Sequence, residues 1–348
     1  AGVLKMNGDP DATINAVLRH WGLDAAVVEA GPADNRGFSG TAVWRVRRGQ
    51  ECFALRRLSD AISDAKHVSD THRLMRYAAR VLDYVPWPRS TSDGQTVAFE
   101  AGRFWSLETW LPGEACDTVR SPNVEMAATA LWMLHEVTHD STCFGRAEQE
   151  GPCQAVRRRS DILQNAEKGF ESIAGDVGRV GVELLQARRV VELLPAAIQR
   201  VAPLVDEAGR VAVRQQPIVG DVRRPDVLFT RGRVTGIVDF GAATFDSPVV
   251  DLTRMLGEFA GEQVELWQAG LAAYQLRRKL APAERQLIPA LDAGGVVAAA
   301  LNWLRWLGDG TVRPTAQVAR RLDVLISRLE PITAGNVVAE RAFAGESA

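Results

Sequence analysis

Cysteine is scarce in this chain, and neither sign of charge is in excess. There are four cysteines in 348 residues, and no two of them form a CxxC pair: Cys52, Cys116, Cys143 and Cys153. We expect reduced thiols, as is usual for a cytosolic protein. Lys and Arg number 41 against 43 Asp and Glu, a formal net charge of −2. This balance gives neither the basic surface of a nucleic-acid-binding protein nor a polybasic membrane anchor.

Long apolar runs are also missing. No segment reaches about 18 uninterrupted apolar residues, and the most apolar stretch, near the C-terminus, contains Asp292 and Arg305. No membrane span is therefore predicted. The first residues lack the basic and then apolar order of a signal peptide. We expect a cytoplasmic protein whose partners are neither nucleic acids nor membranes.

The apolar residues, 46% of the chain, are spaced differently in its two parts. The first part has helical spacing only at 11–23 and 64–82, and otherwise alternates as β-strands do. Its predicted strands are 27–31, 41–48, 52–56, 96–100 and 103–110. Leu111-Pro112-Gly113 then breaks regular structure, as a hinge would. Beyond it the spacing is helical, with a last run from 283 to about 329, and the only strand-like interruption is 217–239.

This order predicts an α+β protein of two lobes. A chain of 348 residues is long enough for about two domains. We expect a small β-rich N-terminal lobe over 1–110 and a large, mostly helical C-terminal lobe over 111–348.

Three aspartates are spaced through residues 217–251, which have the sequence PIVGDVRRPDVLFTRGRVTGIVDFGAATFDSPVVD. Asp221 follows a glycine in a loop, Asp226 precedes one apolar strand, and Asp239 follows the next, with Gly232 in the turn between the strands. Such a hairpin brings its outer ends together. Phosphoryl transfer needs a carboxylate near the acceptor hydroxyl and oxygen ligands for magnesium on the phosphates. The three aspartates match these needs in type and order.

The motif resembles the aminoglycoside phosphotransferase and choline kinase-like group of small-molecule kinases, which share a bilobal protein-kinase-like fold. The catalytic segment of that family has the order His-Gly-Asp, four residues, Asn, an apolar strand and Ile-Asp-Phe-Gly. Here the corresponding residues, at the same spacing, are Val219-Gly220-Asp221, Asp226 and Val238-Asp239-Phe240-Gly241. Asp251 fits the helical Asp with which the family braces its catalytic loop. The resemblance implies a catalytic loop and a metal-binding hairpin at 217–241.

The resemblance extends to the N-terminal part. Gly37-Phe38-Ser39-Gly40 lies where the family has its phosphate-covering loop, which makes Gly37, Ser39 and Gly40 candidate nucleotide-binding residues. Arg56 lies at the strand position of the family's phosphate-binding Lys. Leu134-His135 matches a common Leu-His pair in the first helix of the large lobe.

The resemblance also implies a function. We expect a kinase that transfers the terminal phosphoryl group of ATP, or of GTP, to a hydroxyl of a small-molecule acceptor. The nucleotide would lie between the lobes with Mg²⁺ held by Asp226 and Asp239. Asp221 would orient or deprotonate the acceptor hydroxyl.

Two residues of the catalytic segment differ from the family pattern. Val219 replaces the His that steadies the loop. Asp226 replaces an Asn: it keeps an oxygen ligand for magnesium but adds a negative charge, and its repulsion would raise the pKa of a neighbouring carboxyl group. Arg223 and Arg224, in the same loop, are placed to offset that charge.

The N-terminal part departs as well. Arg56 in place of Lys keeps the positive charge with a different geometry. The family pairs this cation with a Glu of the small-lobe helix, yet residues 60–82 contain no Glu. Asp70 and His72 are the two candidate partners by spacing. These departures support a second hypothesis, a pseudokinase that binds a nucleotide or a metabolite as a regulatory module.

A further motif points to a different enzyme class. His135-Glu136-Val137-Thr138-His139 has the HExxH pattern on a predicted helix, where two His one turn apart can bind zinc and the Glu can act as general base. The alternative is a helix that packs His135 inward and leaves His139 near its exposed C-terminus. A zinc peptidase would need a third ligand, for which four residues are candidates: Glu148, Glu150, Glu167 and Glu171.

Three consecutive arginines, Arg157-Arg158-Arg159, lie in a predicted helix over 155–173. A charge run of this kind is typical of a solvated helix face. We therefore expect all three side chains to face solvent.

Overall fold

The computed structural model describes residues 10–24, 26–31, 40–59, 64–179 and 185–343. Its contacts form two compact units. The first consists of the chain up to Ala115 together with Ser141–Arg146 and Asp226–Ala243. The second consists of Cys116–Asp140, Ala147–Pro225 and the chain from Thr244 onwards. The predicted lobe boundary between residues 110 and 111 stays a prediction.

The regular elements follow one another in an order that is rich in strands at first and in helices later. The elements up to residue 115 are α1 (Pro10–Arg19), β1 (Val27–Ala30), β2 (Ala42–Arg48), β3 (Glu51–Arg57), α2 (Ala65–Ala78), β4 (Val97–Glu100), β5 (Arg103–Thr109) and β6 (Glu114–Ala115). The next are α3 (Ser121–Thr138), β7 (Gln149–Pro152), α4 (Gln154–Arg179), α5 (Leu185–Ala208), β8 (Ala212–Ile218), β9 (Val227–Thr230) and β10 (Arg233–Ile237). The last are β11 (Thr244–Asp246), α6 (Val249–Ala260), α7 (Val264–Gln275), α8 (Pro282–Gly308), α9 (Ala316–Thr333) and α10 (Val338–Phe343).

The main sheet of the first unit is antiparallel, with strand order β1-β2-β3-β5-β4. Alternate side chains of its strands pack with α1 into one apolar cluster, so the predicted strands of this part are confirmed. The large sheet residues of that cluster are Trp44, Val46, Phe53, Leu55, Trp105 and Leu107. β5 is buried on both faces, because Ser106 and Glu108 on its other side are also inaccessible to solvent.

A second sheet of the first unit has the order β10-β9-β6 and contains the predicted hairpin. Its two-residue turn is Arg231-Gly232, with φ of 50° and 79°, the left-handed pair that a tight hairpin requires. Gly113 precedes β6 with φ of 112°, and a Cβ there would lie 2.8 Å from the carbonyl oxygen of Phe229. Only glycine fits at this close approach of the two strands.

The second unit is mostly helical, but it also contains a small sheet of order β11-β8-β7. The prediction of a single strand-like interruption was therefore wrong. β8 escaped notice because two of its buried side chains are Gln215 and Gln216, which remove the apolar pattern that identifies a strand. The predicted last helical run is likewise two helices, since α8 ends near Gly310 (φ 75°) and Thr315 caps α9 by accepting from the N–H of Val318 at 3.2 Å.

α8 passes a length and composition test for a membrane span, with a mean hydropathy of 1.5 over its most apolar 18 residues. That window is 67% buried within the protein. Helices of a protein core pass the same test when they are apolar all round. Asp292, in the middle of α8, is buried and paired with Arg328 of α9 at 2.6 Å.

One of the three consecutive arginines of α4 packs against α8. Arg157 and Arg158 are exposed, as expected. The Nε of Arg159 is fully buried, and its side chain packs against Gly294 and Gly295 of α8. The expectation that all three face solvent is wrong for Arg159, because its position lies on the face of α4 that packs on α8.

Candidate active site

The backbone of the loop that carries Asp221 is held in place by a buried carboxylate. Asp251, in the first turn of α6, is inaccessible to solvent. Its two oxygens accept the backbone N–H groups of Val219 at 2.8 Å and Gly220 at 2.7 Å. Carboxylate bonds to backbone N–H groups are strong, and they leave this loop little freedom. The predicted contact of Asp251 with the loop of Asp221 is confirmed.

His135 extends this buried network and does not form a zinc site. Its Nε2 lies 3.2 Å from Asp251 Oδ2, and its Nδ1 lies 2.8 Å from the Tyr274 hydroxyl. His139 faces Glu148 at 3.0 Å, with Asp140 also at 3.0 Å. Both ring nitrogens of His135 are engaged by protein groups, so the HExxH hypothesis fails and the inward-packed alternative is confirmed for His135. Within the described ranges, no three His, Cys, Asp or Glu side chains group as metal ligands.

Asp221 itself is half-exposed and is held by arginine. Arg254 Nε donates to its Oδ1 at 2.7 Å, and Arg223 Nε lies 3.6 Å from its Oδ2. Arg254 also pairs with Glu258 at 3.4 Å. Sequence reasoning named Arg223 and missed Arg254. The available signal was its position three residues after Asp251, which places both side chains on one face of α6.

The two hairpin aspartates lie at the ends of paired strands. Val227 pairs with Ile237 across β9 and β10, and the carbonyl oxygen of Asp226 accepts the N–H of Val238 at 2.8 Å. Asp226 is buried, whereas Asp239 is 41% exposed and has a left-handed backbone with φ of 65°. Non-glycine residues in this region cost about 1–3 kcal/mol and cluster at functional sites. The expected meeting of the hairpin ends is confirmed.

Arg56 is held between two carboxylates of its own unit. Its Nη2 donates to Asp239 Oδ1 at 2.5 Å, and its Nη1 lies 3.8 Å from Glu108 Oε2. Burial alone would lower the pKa of Arg56, but Glu108, Asp239 and Asp226 outweigh it and raise that pKa above its ordinary value. Burial in turn raises the pKa of Glu108, although Arg56 opposes the shift.

Glu108 therefore occupies the place of the missing helical Glu. The two candidate partners of Arg56 from α2 are wrong. Asp70 pairs instead with Lys66 at 2.6 Å and with Arg73 at 2.5 Å. His72 lies near Arg56, but a lowered pKa keeps its imidazole neutral. Ala54 pairs with Glu108 and Arg56 with Ser106 across β3 and β5. Side chains of Arg56 and Glu108 consequently project from the same face of the sheet. The signal in the sequence was that Glu108 is the one acidic residue of strand 103–109.

His72 should make the protein sensitive to mild acid. Burial, with the positive charges of Arg56 and Arg76, lowers the pKa of His72 from 6.5 to about 3. Below pH 6.5 the unfolded chain takes up a proton that the folded chain refuses, so stability falls with pH by about 1.4 kcal/mol per unit. We expect the free energy of unfolding to drop by about 2 kcal/mol more between pH 6.5 and 5 in the wild type than in His72→Leu. Urea unfolding at both pH values measures this; equal drops in the two proteins would contradict the buried neutral imidazole.

The phosphate-loop residues are described only in part. Gly37 and Ser39 lie outside the described residues. Gly40 has φ of 76°, a conformation that favours glycine, and a Cβ built there would lie 3.5 Å from the Ser59 hydroxyl.

Comparison with known proteins places these residues in context. A model of the phosphotransferase enzyme family, APH, matches residues 32–289, well over half of the chain. A homoserine kinase of Gluconacetobacter diazotrophicus is 28% identical over 248 residues, 69% of either chain.

Solved structures show the same fold at low sequence identity. An amicoumacin kinase in complex with AMP-PNP and Ca²⁺ aligns with a TM-score of 0.63 and 12% identity over 95% of both chains. The spectinomycin phosphotransferase APH(9)-Ia, bound to ADP and spectinomycin, aligns with a TM-score of 0.63 and 12% identity over 98% of this chain and 99% of its own. A microcompartment-associated aminopropanol kinase aligns with the same score and 19% identity over 97% of this chain and 98% of its own. The predicted α+β protein-kinase-like fold is confirmed.

The family match covers the strands that carry Arg56 and Glu108, the loop of Asp221, the hairpin and the brace at Asp251. The chain is a member of the phosphotransferase enzyme family, APH, whose relatives named here are small-molecule kinases.

Proposed function

We propose that the protein transfers the terminal phosphoryl group of ATP, or of GTP, to a hydroxyl of a small molecule with the help of Mg²⁺. One observation carries the proposal: the loop of Asp221 is clamped by Asp251 through two backbone N–H bonds, while Arg254 orients the Asp221 carboxylate. A carboxylate held this firmly on a loop is the arrangement that a general base in phosphoryl transfer needs.

Asp221 would act on the acceptor hydroxyl. As the hydroxyl oxygen forms its bond to phosphorus, Asp221 takes the hydroxyl proton and the nucleoside diphosphate leaves. Positioned bases of this kind contribute about 10²–10⁴-fold to a rate. The bond from Arg254 to Oδ1 would orient the carboxylate of Asp221 for this role.

Arg56 would contact the phosphates of the nucleotide together with Gly37, Ser39 and Gly40. A planar guanidinium presents several donors to phosphate oxygens. Glu108 supports this role because it keeps Arg56 charged and oriented from within the sheet.

Asp226 and Asp239 fit a magnesium ion in type and number. Mg²⁺ in nucleotide sites is usually held by one or two carboxylates and completed by phosphate oxygens and water. When bound, it would offset the negative charge of the phosphates. Arg56 offsets part of the charge of the two aspartates, since both raise its pKa.

A nucleotide-binding pseudokinase is the second candidate function. It is favoured by Val219 at the usual His and by the ion pair that engages Asp239 with Arg56. It predicts thermal stabilisation by ATP without turnover of any acceptor.

The experiment that separates the two is an acceptor panel. Release of ADP is followed with homoserine, spectinomycin and an aminopropanol, the acceptors suggested by the relatives' names, and the product is identified by mass spectrometry. We take 3-aminopropan-1-ol as the aminopropanol. We expect ADP release that needs both an acceptor and Mg²⁺ and stops with EDTA. Stabilisation by ATP with no phosphorylated product across a broad panel would favour the pseudokinase.

A further inference from the structure

Tyr274, on α7, is a buried tyrosine that the proposed mechanism does not use. Three consecutive polar contacts join it to the loop of Asp221. Its hydroxyl lies 2.8 Å from Nδ1 of His135, and Nε2 of the same ring lies 3.2 Å from Oδ2 of Asp251. That oxygen in turn accepts the N–H of Val219 at 2.8 Å. Within the second unit, α7 is thereby connected through α3 and α6 to the residues that precede Asp221.

The contacts of His135 select one arrangement of hydrogens on its ring. The Asp251 carboxylate can only accept, so Nε2 carries a hydrogen and donates it. A neutral ring then has a lone pair at Nδ1, and the Tyr274 hydroxyl donates to it. Burial raises the pKa of Tyr274, so the hydroxyl keeps the hydrogen that this bond requires.

Water cannot take the place of the tyrosine hydroxyl, because the His135 ring is itself buried. Without the hydroxyl, Nδ1 would be a buried acceptor with no donor, which is unfavourable. The ring would relieve this by rotating or by moving its hydrogen from Nε2 to Nδ1. Either change removes the bond from His135 to Asp251.

A glycine one turn earlier on α7 allows the approach of Tyr274 to α3. Gly270 precedes Tyr274 by four residues and lies on the same face of the helix. A Cβ at Gly270 would overlap Cδ2 of Leu256 on α6 and would lie 2.9 Å from Cγ1 of Val124 on α3. A side chain at this position would therefore displace one of these neighbours. The close packing of the three helices is what brings the tyrosine hydroxyl to the imidazole.

We propose that Tyr274 is a positioning residue for phosphoryl transfer. Its hydroxyl holds the His135 ring so that Nε2 donates to Asp251, and this bond keeps the carboxylate turned so that both of its oxygens reach the loop amides. The inference rests on the proposed phosphotransferase function, because the loop carries the aspartate that would act on the acceptor hydroxyl. Tyr274 is inaccessible to solvent, so it acts only through the residues between it and the loop.

Hydrogen exchange in Tyr274→Phe tests the proposal without a substrate. The variant removes one oxygen and keeps the buried ring. We expect the amides of Val219 and Gly220 to exchange about threefold to tenfold faster, relative to the slowest amides of α5, than in the wild type. A general loss of stability would accelerate both sets equally, so the ratio isolates the loop.

The histidine ring gives a spectroscopic readout of the same change. The chain has five histidines, and ¹⁵N-histidine labelling with His135→Gln as reference assigns the signal of His135. We expect the hydrogen on Nε2 in the wild type and a mixture of both tautomers in Tyr274→Phe. With an acceptor that is turned over, kcat should fall about threefold to tenfold, whereas KM for ATP should stay within about twofold.

Two further proteins serve as controls. Tyr77→Phe removes the same oxygen from a half-exposed tyrosine of α2 and should keep the wild-type exchange ratio and kcat. In the His135→Gln background, Tyr274→Phe should change the exchange ratio by less than about twofold, because the hydroxyl acts through the imidazole.

The outcomes separate this inference from the proposed function. An unchanged exchange ratio in Tyr274→Phe, or a wild-type kcat in that variant, would overturn the positioning role and leave phosphotransfer intact. A wild type that phosphorylates no acceptor would count against the proposed function alone. In that case the exchange ratio and the tautomer of His135 still decide whether Tyr274 holds the loop.

Discussion

Replacing Asp221 by alanine should lower kcat about 10²–10⁴-fold and leave nucleotide binding unchanged. The variant removes the group that takes the acceptor proton, and general-base catalysis is worth a factor of this size. Arg254 loses its partner at 2.7 Å but keeps its ion pair with Glu258, so the fold should tolerate the change. Single-turnover transfer with saturating ATP measures the loss, and a thermal shift with ATP checks binding.

Asp206→Ala is the matched control for this variant. Asp206 is an exposed aspartate of α5, and its removal changes the net charge by the same amount outside the loop. We expect wild-type transfer from it. An Asp221→Ala protein that transfers at the full rate would remove Asp221 from the mechanism.

Replacing Asp251 by asparagine should be the most destabilising single change near the site. The carboxylate accepts two backbone N–H groups at 2.8 and 2.7 Å and lies 3.2 Å from His135. Asparagine has one acceptor oxygen, so its NH₂ group would face one of these donors in a site closed to water. Breaking a buried charged network typically costs about 3–5 kcal/mol.

Unfolding in urea measures this effect, with Asp323→Asn, an exposed aspartate of α9, as the control. We expect the free energy of unfolding to fall by about 3 kcal/mol or more in Asp251→Asn and by less than about 0.5 kcal/mol in Asp323→Asn. kcat should fall as well, because the loop of Asp221 loses its support, whereas KM for ATP should change little. A loss below about 1 kcal/mol would mean that the brace contributes little to the fold.

Features encoded over short sequence distances were predictable. The hairpin of β9 and β10 followed from two apolar strands around Arg231-Gly232, and its ends bring Asp226 and Asp239 together as expected. The brace at Asp251 followed from a family motif at fixed spacing. In these cases residue type and spacing determine the local geometry almost alone.

Features that depend on distant chain segments were not predictable in the same way. Glu108 meets Arg56 only because β3 and β5 are neighbours in the sheet, although they are separated by α2 and β4 in sequence. Arg159 belongs to a run that resembles a solvated face, and only the packing of α4 on α8 shows that it differs. The small sheet around β8 was hidden by its buried glutamines. Tertiary packing decides each of these.

Direct detection of the transferred group distinguishes a phosphotransferase from a protein that only binds nucleotide. ATP with ¹⁸O-labelled terminal phosphate is incubated with the wild type, Asp221→Ala and Asp206→Ala, and with each acceptor of the panel, and the products are weighed by mass spectrometry. We expect a labelled phosphoryl group on an acceptor hydroxyl with the wild type and Asp206→Ala. Asp221→Ala should form this product at least about a hundredfold more slowly. An unmodified acceptor in every reaction, or equal labelling by Asp221→Ala, would contradict it.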